Sequence, residues 1–118
     1  MSLQPGDIVL IPDAPYTDYS QAKARPCLVV SRENFNSLRP DVILAPISSR
    51  LRYGDEMQVI VSDDDPSFTK TGLKVSSAIK CGSIFAHAKS RIQRKLGVLP
   101  SEAFRQVIQL IVGIFACD

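Results

Sequence analysis

Basic and aromatic residues gather in three stretches of the 118-residue chain. The first holds Tyr16, Tyr19, Lys23 and Arg25, the second Arg50, Arg52 and Tyr53, and the third Lys89, Arg91, Arg94 and Lys95. Guanidinium and ammonium groups contact phosphate, and aromatic rings stack unpaired bases at roughly 1–3 kcal/mol per base. Single-stranded nucleic acid is a ligand that uses both. An ordinary solvated surface carries the same residue types, so the pattern alone leaves both readings open. The net charge of +2 does not decide between them, because a polyanion responds to how charge clusters more than to its sum.

Other chemistries find little support. The chain has one histidine, His87, and contains no HExxH, P-loop, GxGxxG or GxSxG pattern. Alternation along Ile84–Lys89 sets His87 beside Phe85 and Lys89, the setting of an ordinary strand or turn histidine or of one that contacts an anionic substrate. Asp63-Asp64-Asp65 lacks the spaced ligands, central Gly and distal Glu of a calcium loop and reads as a solvated turn. Cys27, Cys81 and Cys117 form no CxxC pair and are odd in number, which argues for free thiols. Cys27 has the setting of a small core residue, and Cys117 is either free or an oxidative cross-link between two chains. No metal or cofactor is expected.

Positioning the basic loops falls to the apolar segments between them. A hydrophobic content of 45% in this length fits one domain, residues 1–118, that buries roughly two thirds of its unfolded surface. No apolar run approaches the roughly 20 residues of a membrane span, and the N-terminus lacks the pattern of a signal peptide, so a cytoplasmic protein is expected. Strands are predicted at Ile8–Ile11, Cys27–Ser31, Val42–Ile47 and Met57–Val61, with Ser76–Lys80 and Ser83–Ala88 as one or two more around a bend or bulge at Gly82, and one more short strand within 91–99. The first three are apolar at nearly every position, as in a small barrel or a sheet covered on both faces. Pro46 cannot donate to a ladder, so its strand must lie near an edge or end close to Ser48. Residues 13–24 form a loop longer than a plain connection needs, and Arg32–Pro40 reads as a polar turn. After Pro100, Ser101 fits an N-cap and Glu102 a first turn. Phe104, Val107, Ile108, Ile111, Ile114 and Phe115 then recur at helical spacing over about four turns. The sum is a small α+β barrel-like domain ending in a helix.

Three segments in order, Gly6-Asp7-Ile8-Val9, Arg25-Pro26-Cys27-Leu28-Val29-Val30-Ser31 and Val42-Ile43-Leu44-Ala45-Pro46-Ile47-Ser48-Ser49, resemble the MazF/PemK family of toxin ribonucleases. Ser83-Ile84-Phe85, Lys89-Ser90, Lys95-Leu96-Gly97 and the closing helix extend the likeness over nearly the whole chain. The resemblance implies a small SH3-like β-barrel of the CcdB/PemK kind with a C-terminal α-helix. It also implies a homodimer that cuts single-stranded RNA at short sequences without a metal, neutralised by a cognate antitoxin. Residue by residue, Arg25 matches the family's catalytic Arg and Ser48 its catalytic Thr or Ser. The loop 13–24, with Tyr16, Tyr19, Gln21 and Lys23, and the Arg50–Asp55 loop, with Arg50, Arg52 and Tyr53, match segments that contact RNA and compete with antitoxin. The chain departs from the pattern at Ser20-Gln21-Ala22-Lys23, where many relatives carry Glu-Gln-x-Gly before the Arg-Pro pair. Two alternatives share the fold. One is a catalytically inactive RNA- or partner-binding barrel, motivated by that departure; the other is a CcdB-like gyrase-binding poison, disfavoured because those act through a Trp near the chain end and this chain has none.

Overall fold

A computed structural model describes residues 2–12, 24–52 and 54–116. Seven strands form one curled antiparallel sheet among the described residues: β1 Asp7–Ile11, β2 Arg25–Val29, β3 Asp41–Ser48, β4 Gln58–Val61, β5 Ser77–Lys80, β6 Phe85–Ala88 and β7 Arg94–Val98. Two helices accompany them, α1 Glu33–Leu38 and α2 Ser101–Ile114. The strand order is β4-β5-β3-β2-β1-β7, with β6 pairing β3 off this path. The result is a half-barrel closed by a C-terminal helix.

Alternation explains why the first three strands are apolar throughout. Ile8, Leu28, Ala45 and Ile47 face one buried cluster, which Val59, Ile79, Leu99, Val107 and Ile111 complete beneath α2. Their immediate neighbours Val9, Ile11, Cys27, Val29, Val42 and Leu44 face a second cluster, joined by Leu3 and Ile92. Successive side chains point to opposite faces, so a sheet with a core on each side confines polar residues to the strand ends, at Asp7, Arg25, Asp41 and Ser48.

β3 is the central strand and changes partner along its length. Its first half pairs β6 from Asp41–Ala88 to Leu44–Phe85, and its end pairs β5 at Ile47–Ile79 and Ser48–Ala78. Pro46 occupies the gap between the two. Val30 donates its backbone N–H to the Ile43 carbonyl at 3.0 Å, so odd-numbered residues of β3 turn their polar groups toward β2 and Pro46 turns away, where no ladder bond is required. The expected strand end at Ser48 holds; the edge position does not.

The curl closes by packing at its far side. β4 and β7 are the two ends of the strand path, and the 3-10 turn Phe68–Thr71 that follows β4 lies against β7. Two glycines permit that crossing. A Cβ on Gly72, at φ +73°, would sit 2.2 Å from the Leu96 carbonyl oxygen, and one on Gly97 would sit 2.2 Å from the Lys70 carbonyl oxygen. At the other end of β7, the buried Asp7 carboxylate meets the Lys95 ammonium at 3.0 Å and accepts the Gln4 backbone N–H at 2.8 Å.

Several boundaries differ from the sequence expectation. β2 runs Arg25–Val29, not Cys27–Ser31, because Ser31 turns its hydroxyl to a side-chain network instead of continuing the ladder. The predicted turn at Arg32–Pro40 contains α1, whose Asn36 is buried and donates to the carbonyls of Leu3 at 3.1 Å and Ser31 at 2.9 Å. The Ser31 hydroxyl donates to the Asn36 side-chain oxygen and accepts from Ile43 N–H, while Lys89 reaches the Asn36 carbonyl. A long-range polar network therefore holds a helix that has no apolar periodicity to announce it. Gly82 sits within a 3-10 turn, Cys81–Ser83. Pro100, not Ser101, occupies the cap position of α2, its carbonyl accepting the Phe104 N–H at 3.0 Å. The apolar stripe of α2 ends at Ile111: Ile114 and Phe115 are exposed, and Phe115 lies beyond the helix.

These crossings make a paired prediction. Gly97→Ala drives a methyl into the Lys70 carbonyl and is expected to destabilise by about 2 kcal/mol or more, lowering Tm by roughly 10 °C. Gly113→Ala, on the open face of α2 with nothing within 4 Å, is expected to stabilise by about 0.5 kcal/mol. Thermal denaturation of both variants checks the assignment; equal Tm changes would contradict it.

Candidate nucleic-acid interface

Arg25 opens β2, half-buried, and pairs Ile11 across the sheet. Pro26 follows, paired with Leu10, and its ring holds the backbone φ at the start of the strand. The β2–β3 ladder matches Cys27 with Pro46. Carried two residues further, the same register sets Arg25 across from Ser48, on the face that Cys27 shares. The register thus sets the two positions opposite each other on one face of the sheet.

Ser48 ends β3 and its hydroxyl oxygen accepts the Arg50 backbone N–H at 3.1 Å. That bond uses a lone pair and leaves the O–H able to donate to a phosphoryl oxygen. Arg50 and Arg52 follow, both exposed, on the loop between β3 and β4. Among the described residues, no carboxylate lies within ion-pair distance of Arg25, so its charge is not neutralised from within them. Tyr16, Tyr19, Gln21, Lys23 and Tyr53, which the sequence nominates for RNA contact, lie outside the described residues.

The third basic stretch disperses. His87 pairs Val42, which lies six residues before Ser48 on β3, a distance of about 20 Å along the strand. Its ring meets Phe85 edge-on at 6.1 Å and its Nδ1 lies 3.1 Å from the Ala88 carbonyl, so it belongs to the far end of the sheet. Lys89 is tied to α1 and Lys95 to Asp7. Arg94 does lie at the Arg25 end of the sheet, since it pairs Leu10 on β1. Pairing with Leu10, whereas Arg25 pairs Ile11, places the two on opposite faces.

Residues 63–65 stay on the surface, where the Asp65 carboxylate accepts from the Ser67 hydroxyl at 2.7 Å and the Ser67 N–H at 2.9 Å. Those bonds hold its pKa below the ordinary 3.8. Among the described residues, no three His, Cys, Asp or Glu side chains come together as a metal site requires. Among them too, no helix is long and apolar enough to cross a membrane.

One feature of the loop escapes the sequence reading. Gln58 opens β4 and Lys80 ends β5, and they pair directly across the ladder. Lys80 donates to the Gln58 side-chain oxygen at 2.6 Å, and Gln58 donates to the Arg52 carbonyl at 2.7 Å. The signal that could have found them is a polar residue in each of two short apolar strands.

The fold defines a class: small curled antiparallel half-barrels with a C-terminal helix laid on one face. Within it, residues 4–115 match the family model described as the PemK-like, MazF-like toxin of type II toxin–antitoxin systems, and the chain belongs to that family. Among solved structures, it is similar to the Mycobacterium tuberculosis toxin MazF-mt6, with 23% identity, TM-score 0.72, and 95% and 98% of the two chains covered. A MazE–MazF structure from Deinococcus radiodurans superposes with TM-score 0.75 at 16% identity, covering 100% of this chain and 99% of that one. An endoribonuclease from a mycobacterial species, in complex with its cognate antitoxin, gives 0.69 at 16% identity over 95% and 91%. At these identities the likeness shows the fold. A search of curated protein sequences returns no match.

Beneath Arg25, burial pushes the Cys27 thiol from its ordinary 9.0 up to about 12, against a smaller lowering by the Ile47 backbone. Burial, then the nearby Asp55 charge, pushes Cys81 up to about 11. The folded state therefore holds these protons more tightly than the unfolded chain. This contribution is intact below about pH 9 and is lost as pH rises through the two folded values. A Cys27→Ala, Cys81→Ala double variant, although less stable at neutral pH, is expected to lose less Tm than the parent between about pH 8 and 11. Parallel Tm profiles would refute the assignment.

Proposed function

We propose that this chain is an endoribonuclease toxin, residues 1–118 acting as one domain, that cleaves single-stranded RNA without a metal. A cognate antitoxin holds it silent, and it works in the cytoplasm as a homodimer. The observation that carries the reading is the β2–β3 register, Cys27 opposite Pro46, which two residues further on sets Arg25 across from Ser48, beside the loop bearing Arg50 and Arg52. Membership in the toxin family supports it, as does the antitoxin complex of a structural relative.

Cleavage of this kind uses the RNA's own 2′-OH. Its oxygen bonds to the adjacent phosphorus as the P–O5′ bond breaks, the 2′ proton passes to solvent, and the 5′ oxygen takes up a proton. The products are a 2′,3′-cyclic phosphate and a 5′-OH. Negative charge builds on the phosphoryl oxygens in the transition state, and fixed donors aimed there lower the barrier. Arg25 supplies a cation with several donors. As a fixed, delocalised cation it acts as an electrostatic stabiliser and not as a base. Ser48 donates its O–H to the same oxygens. Arg50, Arg52, Tyr16, Tyr19, Gln21, Lys23 and Tyr53 contact the RNA on either side of the scissile bond, by charge, hydrogen bonding and stacking.

Incubation with a long single-stranded RNA in EDTA is expected to give discrete cuts with cyclic-phosphate and 5′-OH ends. Arg25→Ala and Ser48→Ala should each slow cleavage by about 100- to 1000-fold, the cost of removing one transition-state donor, with Tm little changed. Intact RNA at enzyme excess overturns the ribonuclease reading. If the protein then binds the RNA, the inactive RNA-binding barrel motivated by Ser20 and Lys23 takes its place.

A further inference from the structure

We infer that Gln58 and Lys80 are positioning residues that hold the Arg52 segment of the β3–β4 loop in the shape that meets RNA, and so set substrate affinity. The inference rests on the RNA-directed function proposed above. Its basis is a chain of bonds running from β5 into the loop backbone. Lys80 donates to the Gln58 side-chain oxygen at 2.6 Å, and its ammonium lies 3.8 Å from the Asp55 carboxylate. Gln58 in turn donates its amide N–H to the Arg52 carbonyl at 2.7 Å. The Asp55 backbone N–H reaches that same carbonyl at 3.2 Å, and the Asp55 side chain accepts the Met57 N–H at 2.9 Å.

Donor and acceptor chemistry sets the direction of this chain. An ammonium can only donate, so the Gln58 oxygen must face Lys80 and its NH₂ must face the loop. The cation also polarises the amide and strengthens the N–H that it presents to Arg52. At its other end the loop is tied by Ser48, whose hydroxyl accepts the Arg50 N–H. The Arg50–Arg52 backbone is therefore anchored to the sheet on both sides, once at the candidate catalytic serine and once at the clip.

Strand pairing does not need these polar groups. Val59 and Ile79, both buried and paired between them, already join β4 to β5. Lys80 and the Asp55 side chain keep partial exposure, 21% and 34%, so the clip sits at the surface where a ligand would contact the loop. The role left to the clip is to order Arg52 before binding. Ordering a loop in its bound shape raises affinity by removing that cost from the binding step.

Gln58→Leu tests this without changing net charge. The expected result is a KM for single-stranded RNA about tenfold higher, with kcat within twofold of the parent and Tm within a few degrees. The slope of log binding constant against log salt should also shrink by about 0.7, the signature of one fewer phosphate neutralised on a single strand. Arg52→Ala should give the same weakening, and the double variant no more than either alone. Unchanged KM and salt slope in Gln58→Leu overturn the inference, as does a fall in kcat and Tm together, which marks a merely structural role. Should the parent bind RNA without cutting it, the cleavage reading fails alone and the binding constants and salt slope still decide the clip. A parent that binds no RNA overturns both.

Discussion

Everything at the candidate site depends on how β3 satisfies its backbone hydrogen bonds. One eight-residue strand meets β2 on one side, and β6 and then β5 on the other, and both its faces are buried. A strand so placed cannot slip by one residue, because each side chain would move to the opposite core. Pro46 fits only because it falls where β6 has ended and β5 has not begun. That single register determines where Ser48 emerges and which residue of β2 lies opposite it. The aim of the Arg25 guanidinium is thus set by backbone pairing and two apolar cores, more than by any contact of its own.

The scaffold around this strand is rigid where the basic residues leave it. Gly72 and Gly97 let the 3-10 turn press against β7 at backbone distance, closing the curl without a continuous ladder. Asp7 and Lys95 tie the entry of β1 to the same strand. The Asn36 network binds α1, the N-terminal segment and the start of β3 together through buried polar groups whose partners are all supplied. Sites built at the ends of such strands hold their geometry better than sites on loops alone, and loops can then vary what is recognised.

Much of this was legible in the residue order. The apolar runs located the strands, the helical spacing from Phe104 to Ile111 located α2, and the segments around Arg25 and Ser48 pointed to the family. The misreadings share a cause. α1 is held by Asn36 reaching Leu3, which lies 33 positions away, and no local pattern shows that bond. Ile114 and Phe115 keep the apolar character of the helix stripe yet are exposed among the described residues. His87 and Arg91 stand close to Arg94 in the chain, yet strand pairing sends His87 to the far end of the sheet.

By itself, the sequence determined which segments were apolar enough to be buried, the turn glycines and prolines, and the residue types able to meet a phosphate. Those properties are local: a side chain's polarity and a backbone's allowed angles travel with the residue. Which residues share a surface was decided only in the tertiary structure, by strand order and register. Cys27 and Pro46 are 19 positions apart and pair across one ladder, whose register carried two residues on sets Arg25 opposite Ser48, while Gln58 meets Lys80 to take hold of the Arg52 carbonyl. Hydrogen bonding between strands is indifferent to chain separation. Charge on one loop therefore says little until the sheet has placed it.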